Sequence, residues 1–122
     1  MIDVERTDFI GVPVTDRDRA VAFYGETLGL KRNEKAHEEW PEFETGNVTI
    51  LLTTPEQTGT PFSASTTAIA LRVDDVEAAT AWLKEAGVEF GFEEAYDSGV
   101  CHMAIFTDPD GNALMLHSRY AD

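Results

Sequence analysis

Two stretches of this chain repeat one plan about 59 positions apart, and that duplication restricts the possible folds more than any other feature. Segment 9–30 reads FIGVPVTDRDRAVAFYGETLGL and segment 68–88 reads AIALRVDDVEAATAWLKEAGV. Ile10 aligns with Ile69, Val12 with Leu71, Val14 with Val73, Asp16 with Asp75, and Phe23-Tyr24 with Trp82-Leu83. Each copy opens with strict alternation, the period of a strand that buries one face. Thr15-Asp16 and Asp74-Asp75 then offer side-chain acceptors to the free amides of a helix start. Helical spacing follows: Val21, Tyr24 and Leu28 share one face, as do Val76, Ala79, Leu83 and Ala86. Gly29 and Gly87 stand where a left-handed C-terminal cap would end each helix.

Turn signals divide the remainder into strands. Gly46-Asn47 separates Phe43-Glu44-Thr45 from Val48-Thr49-Ile50-Leu51-Leu52, and Asp108-Pro109-Asp110-Gly111 separates Met103-Ala104-Ile105-Phe106 from Ala113-Leu114-Met115-Leu116. The reading is an α+β fold of two tandem βαβββ modules, about 7–54 and about 67–119, forming a curved, cup-like mixed sheet with helices on the outer face. A linker at about 55–66, rich in Thr, Pro, Gly and Ser, joins them. At 122 residues the chain suits one hydrophobic core and a single domain.

Nine Lys plus Arg against 23 Asp plus Glu leave a formal charge of −14. Such a surface repels phosphate backbones and anionic headgroups, so neither nucleic acid nor membrane is an expected partner. The acidity itself reads as a solubility device or as a match to a cationic partner. No basic patch followed by an apolar run opens the chain, and no stretch approaches a membrane span. With Cys101 as the sole cysteine, the expected location is the cytoplasm.

Several strings occur in an order that resembles the vicinal oxygen chelate superfamily, which includes glyoxalase I, bleomycin-resistance proteins and extradiol dioxygenases. They are Val12-Pro13-Val14-Thr15-Asp16, Ala22-Phe23-Tyr24, Leu28-Gly29-Leu30, Val73-Asp74-Asp75-Val76 and Asp108-Pro109-Asp110-Gly111-Asn112. In metal-dependent members, the resemblance implies, a ligand stands at the start of each module's first strand and on each module's last strand. The corresponding positions are Phe9, Ala68 and Met115, and the strand within 47–54 contains no His, Glu, Asp or Gln. Phenyl, methyl and thioether groups lack the donors a divalent cation needs, so no metal and no cofactor are expected. The resemblance also implies a homodimer.

Strand parity assigns other residues to the cup. If Ile10, Val12 and Val14 pack on the helix, Phe9 and Gly11 face the cup; likewise Ala68, Ala70 and Arg72 oppose Ile69, Leu71 and Val73. Pairing Thr107 with Asn112 makes Met103, Ile105, Leu114 and Leu116 the helix-facing layer and sets His102 across from His117 on the cup side. Two facing imidazoles read as donor and acceptor for a ligand, as half of a displaced metal site, or as residues bonding to neighbours at the sheet end. Arg72 reads either as partner to a ligand anion or as half of a structural ion pair. Tyr24, Phe43 and Trp40 suit the core better than a pocket wall, and Cys101 suits a small buried hydrophobe.

The candidate ligand-binding residues are therefore Phe9, Ala68, Arg72, His102, Met115 and His117, and the expected partner is a small, partly apolar molecule held in the cup. A lyase, isomerase or dioxygenase working through His102 and His117 is the alternative, and an interaction module with a vestigial cup is a third. Whether the chain catalyses a reaction is left open by the sequence.

Overall fold

In the computed structural model, which describes residues 1–91 and 96–120, the duplication is written into hydrogen bonding. The first unit is Met1–Ser63 and the second begins at Ala64. The first contains β1 (Phe9–Pro13), α1 (Arg17–Ala22), β2 (Lys31–Arg32), β3 (Glu42–Glu44), β4 (Thr49–Thr53) and α2 (Pro55–Thr58). The second contains β5 (Ile69–Arg72), α3 (Val76–Glu85), β6 (Tyr96–Asp97), β7 (Cys101–Thr107) and β8 (Ala113–Arg119). Sheet order is β1-β4-β3-β2 in one and β5-β8-β7-β6 in the other. In both, the first strand runs parallel to the last and the remaining pairs are antiparallel. A parallel pair needs a crossover, and the helix after each first strand begins it. The fold is α+β, with two four-stranded mixed sheets, neither closed.

Helix starts match almost atom for atom. Asp16 accepts from the Arg19 amide at 3.1 Å and Asp75 from the Ala78 amide at 3.0 Å, with φ of −130° and −132° at the two caps. Each carboxylate satisfies an amide that the helix leaves without a partner. Gly29 and Gly87 adopt φ of 73° and 92°, as the stop signals require.

Between these shared ends the helices differ. Whereas α3 is regular for ten residues, α1 gives way after Ala22 to a π-helical turn over Phe23–Thr27, closed by the Leu28 amide on the Phe23 carbonyl at 2.9 Å. The turn packs closely at Gly25. A Cβ on Gly25 would come within 3.1 Å of the Phe43 ring, so the missing side chain lets the widened turn rest on that ring.

Each sheet buries one face. Val12, Ile50, Leu52 and Phe43 join Val14, Ala20, Phe23 and Tyr24 in the first core. Tyr24 lies 6.1 Å from Phe43 by ring centroids, and burying a ring such as Phe43 contributes about 2–3 kcal/mol. Ala104, Phe106, Leu114 and Leu116 form the corresponding layer of the second sheet, against which α3 packs through Val76, Thr80 and Leu83. Tyr24 and Phe43 are core residues, as their spacing suggested, while Trp40 keeps 38% of its surface exposed.

The stretch expected as a plain linker holds a short helix. At its start the Gln57 side chain accepts the Thr54 amide at 3.0 Å and Pro55 occupies the first turn, a reciprocal cap already spelled by Thr54-Pro55-Glu56-Gln57.

Candidate functional site

The faces turned away from the two cores carry the candidate residues, and strand register decides who stands there. In the first sheet Phe9 pairs with Thr49 and Thr49 with Glu44, while Gly11 pairs with Leu51 and Leu51 with Glu42. Directly paired residues share a face, so Phe9, Thr49 and Glu44 form one row and Gly11, Leu51 and Glu42 the next. An open depression of about 340 Å³ lies over the first row, walled by Phe9, Thr49, Glu42, Glu44, Asn47 and the approach Arg6-Thr7-Asp8. Its polar groups are mostly engaged. Glu44 accepts the Thr49 hydroxyl at 3.1 Å, Asn33 donates to Glu42 at 3.2 Å, and Arg6 meets Asp8 at 2.8 Å in full solvent.

Glu42 and Glu44 were missed by sequence reasoning. The signal was present: once Phe43 is assigned to the core, period-2 alternation sends both flanking carboxylates to the open side.

In the second sheet the hairpin register differs from expectation by one residue. Thr107 pairs with Ala113, not with Asn112, which sets Ile105 opposite Met115 and Met103 opposite His117. The loop is the cause. Pro109-Asp110-Gly111 is a three-residue connection with Gly111 at φ 88°, and the Asp108 amide closes it on the Asn112 carbonyl at 3.0 Å. Asn112 is thereby consumed by the turn, its amide taken by Asp108 and its side chain by the Ser65 amide and Asp108. A one-residue slip exchanges the faces of β7. Met103 and Ile105 therefore leave the helix-facing layer for the open side, with Ala104 and Phe106 in their place.

His102 and His117 are consequently not across from one another. His102 pairs with Ser118 and shares its parity with Ala104 and Phe106, whereas His117 shares the open face with Met115. Chemistry that needs both imidazoles on one ligand does not fit this register. His102 instead joins a cluster at the end of the sheet. Its Nε2 lies 3.2 Å from an Asp97 carboxylate oxygen and its ring 5.0 Å from that of Tyr120, whose hydroxyl donates to Asp97. The Tyr120 hydroxyl first, then the Gly99 amide, with a lesser part from His102, hold the Asp97 carboxyl below its ordinary range against the opposing effect of desolvation. The same carboxylate pushes the Tyr120 phenol upward.

The other candidates fall on the open face or beside it. Ala70 pairs with Met115 and Arg72 with His117; continuing across, His117 pairs with Met103 and Met103 with Tyr96. Ala70 and Arg72 are exposed, while Met103, Ile105, Met115 and His117 are half-buried. Ala68 immediately precedes β5 and is half-buried. Cys101 is buried, as a small hydrophobe would be, although it shares the parity of Met103 and Ile105.

Among the described residues no group of three or more His, Cys, Asp or Glu is arranged to hold a metal ion, and no helix is long and apolar enough to cross a membrane. At Phe9, Ala68 and Met115, where the family resemblance puts metal ligands, the side chains end in carbon or carry a thioether. That donor set does not fit a divalent cation.

Two βαβββ repeats, each with one helix-covered and one open sheet face, define a class of proteins built by duplicating a half-domain. The characteristic sequence pattern of the Glyoxalase/Bleomycin resistance protein/Dioxygenase superfamily matches residues 6–116, and the chain belongs to that superfamily. Solved structures resemble it over nearly their whole length. TnmS3, described as an antibiotic-binding protein from Streptomyces sp. CB03234, is 27% identical with a TM-score of 0.77, over 98% of this chain and 99% of that one. A glyoxalase/bleomycin resistance protein from the same organism is 29% identical with a TM-score of 0.72, over 92% and 99%. A superfamily member from Sphaerobacter thermophilus shares the fold at 23% identity, with a TM-score of 0.78 over 93% and 97%. No curated protein matches the chain.

Proposed function

We propose that this chain binds a small, partly apolar molecule and holds it without transforming it, acting as a homodimer in the cytoplasm. The observation that carries this reading is the open face of the second sheet. Met103, Ile105 and Met115 stand together there beside Arg72 and His117, apolar area edged by a few polar groups, the composition of a ligand site. Within the second unit, ligand contacts are assigned to Ala68, Arg72, Met115 and His117, with Met103 and Ile105 added and His102 set aside by its register; Phe9 stands at the depression of the first unit. The antibiotic-binding description of TnmS3 supports retention as the activity. Carbon and sulfur at the positions of the family's metal ligands support binding without a metal.

Calorimetric titration of the purified chain against bleomycin-type glycopeptides and smaller aromatic antibiotics tests the reading. Saturable heat with at least one of them, weakened about ten-fold or more by Met115→Glu, is the expected result. Uniform absence of heat across the panel removes the proposal. Light scattering tests the assembly, with a mass twice the 13.5 kDa of the chain expected.

A further inference from the structure

We infer that the open face of the second sheet selects a ligand bearing one anionic group beside an apolar body, with Arg72 fixing the anion and His117 as its neighbour. The inference rests on the binding role proposed above and adds the ligand's chemical class.

Register supplies the geometry. Arg72 and His117 are direct partners on adjacent parallel strands, so both side chains leave the same face about 4.8 Å apart at the backbone. Their row continues through Met103 to Tyr96, and the next row is Ala70, Met115 and Ile105. Among the described residues neither row contains a carboxylate. Among the described residues of these two rows, one corner is thus cationic or hydrogen-bonding, and the rest is apolar with the Tyr96 phenol at the β6 end.

Charge supplies the class. In a chain with 23 acidic and nine basic residues, a guanidinium has many carboxylates available to it. Arg6, for comparison, pairs with Asp8. Among the described residues the Arg72 guanidinium makes no ion pair or hydrogen bond, and the His117 ring makes none either. The structural ion pair that was one reading of Arg72 is not formed among these residues. A guanidinium presents a planar fork of donors matched to carboxylate, sulfonate or phosphate oxygens, and an imidazole beside it adds one more donor. The long-range field decides between a small anion and a polymer: a net charge of −14 repels a polyanion, whereas a single anionic group can be held by local hydrogen bonds. The apolar rows then require a carbon body attached to that group.

Two fluorescent probes that differ by one group test this. Anilinonaphthalene sulfonate carries an aryl body and a sulfonate; N-phenyl-1-naphthylamine has the same body without the anion. Each is titrated into the full chain, the Arg72→Met variant and the Met115→Ser variant, all first shown to unfold cooperatively in urea. The expected result is that Arg72→Met weakens the sulfonate probe about ten-fold or more and changes the neutral probe less than about two-fold, the range a charge-assisted fork commands. Met115→Ser weakens both alike. If Arg72→Met fails to fold, Arg72→Lys replaces it, with a loss of about three-fold or more expected for the sulfonate alone. Equal effects of the arginine variant on both probes, or none on either, overturn the anion assignment and leave the binding role intact. Absence of binding by both probes to the unaltered chain overturns the binding role and this inference with it.

Discussion

Replacing Asn112 by Ala should destabilise the chain by about 3 kcal/mol, because one buried amide ties the last hairpin loop to a segment 47 positions away. Its Oδ1 accepts the Ser65 amide at 2.8 Å, and its Nδ2 donates to an Asp108 carboxylate oxygen at 2.8 Å. Asn112 and Asp108 are 2% and 4% exposed, so water does not readily replace either bond. Removing the neutral bond costs about 1 kcal/mol and the charge-assisted one about 2 kcal/mol, since both partners remain in place without their mate. Asp108 keeps the Asp110 and Asn112 amides on its other oxygen, which limits the loss. With a urea m-value of about 2 kcal/mol/M, the midpoint should fall by about 1.5 M, read by far-ultraviolet circular dichroism. Asn112→Asp provides a second readout. It retains the acceptor for Ser65 but sets a carboxylate against that of Asp108 in place of a donor, so its cost at pH 7 should exceed that of alanine. A midpoint change under about 0.3 M for Asn112→Ala, or an Asp variant more stable than the Ala variant at pH 7, would refute this account of the turn.

Thr80 is 8% exposed on the buried side of α3, and its hydroxyl has no partner among the described residues. Thr80→Val keeps the shape and removes the unmet group, so stability should rise by about 1 kcal/mol and the melting temperature by about 4 °C; a loss of stability would contradict the assignment. Tyr120→Phe removes the largest influence on Asp97, whose carboxyl should then titrate closer to the ordinary value of 3.8 in a carbon-13 NMR titration. The sign follows from the shifts: a lowered carboxyl stabilises the fold above its unfolded pKa, and that contribution disappears as pH falls through the folded one. The raised Tyr120 phenol stabilises below its unfolded value, ordinarily 10.0, and is lost as pH rises through its folded value.

What the sequence made legible was local and periodic. Asp16 and Asp75 announced their helices because an acceptor before a helical stripe has few other uses, and Gly29 and Gly87 announced the ends for the matching reason. The open faces of β1, β5 and β8 followed from alternation alone. The face of β7 did not, because parity in a hairpin is inherited through the turn, and the string Asp108-Pro109-Asp110-Gly111-Asn112 accommodates more than one loop length. The loop length adopted is the one in which the side chain of Asn112 also reaches Ser65, a long-range bond that no local pattern displays. The π-helical turn was hidden for a similar reason, since its Gly25 packs against the Phe43 ring, distant in the sequence. By contrast, the Thr54–Gln57 cap and the outward carboxylates of Glu42 and Glu44 were spelled in the sequence and passed over. The separation of His102 from His117 is the consequence that mattered most, because an acid-base pair had depended on their meeting.

The hairpin loop also makes the lining of the open face heritable in an unusual unit. Substitutions edit one residue of the face at a time, but a one-residue insertion or deletion between Thr107 and Ala113 would turn over every side chain of β7 together, bringing Ala104 and Phe106 to the open side and sending Met103 and Ile105 inward. The chemistry of this face is therefore encoded partly by a spacing, and descendants that alter the spacing would change the surface they present without altering a single letter of the strand.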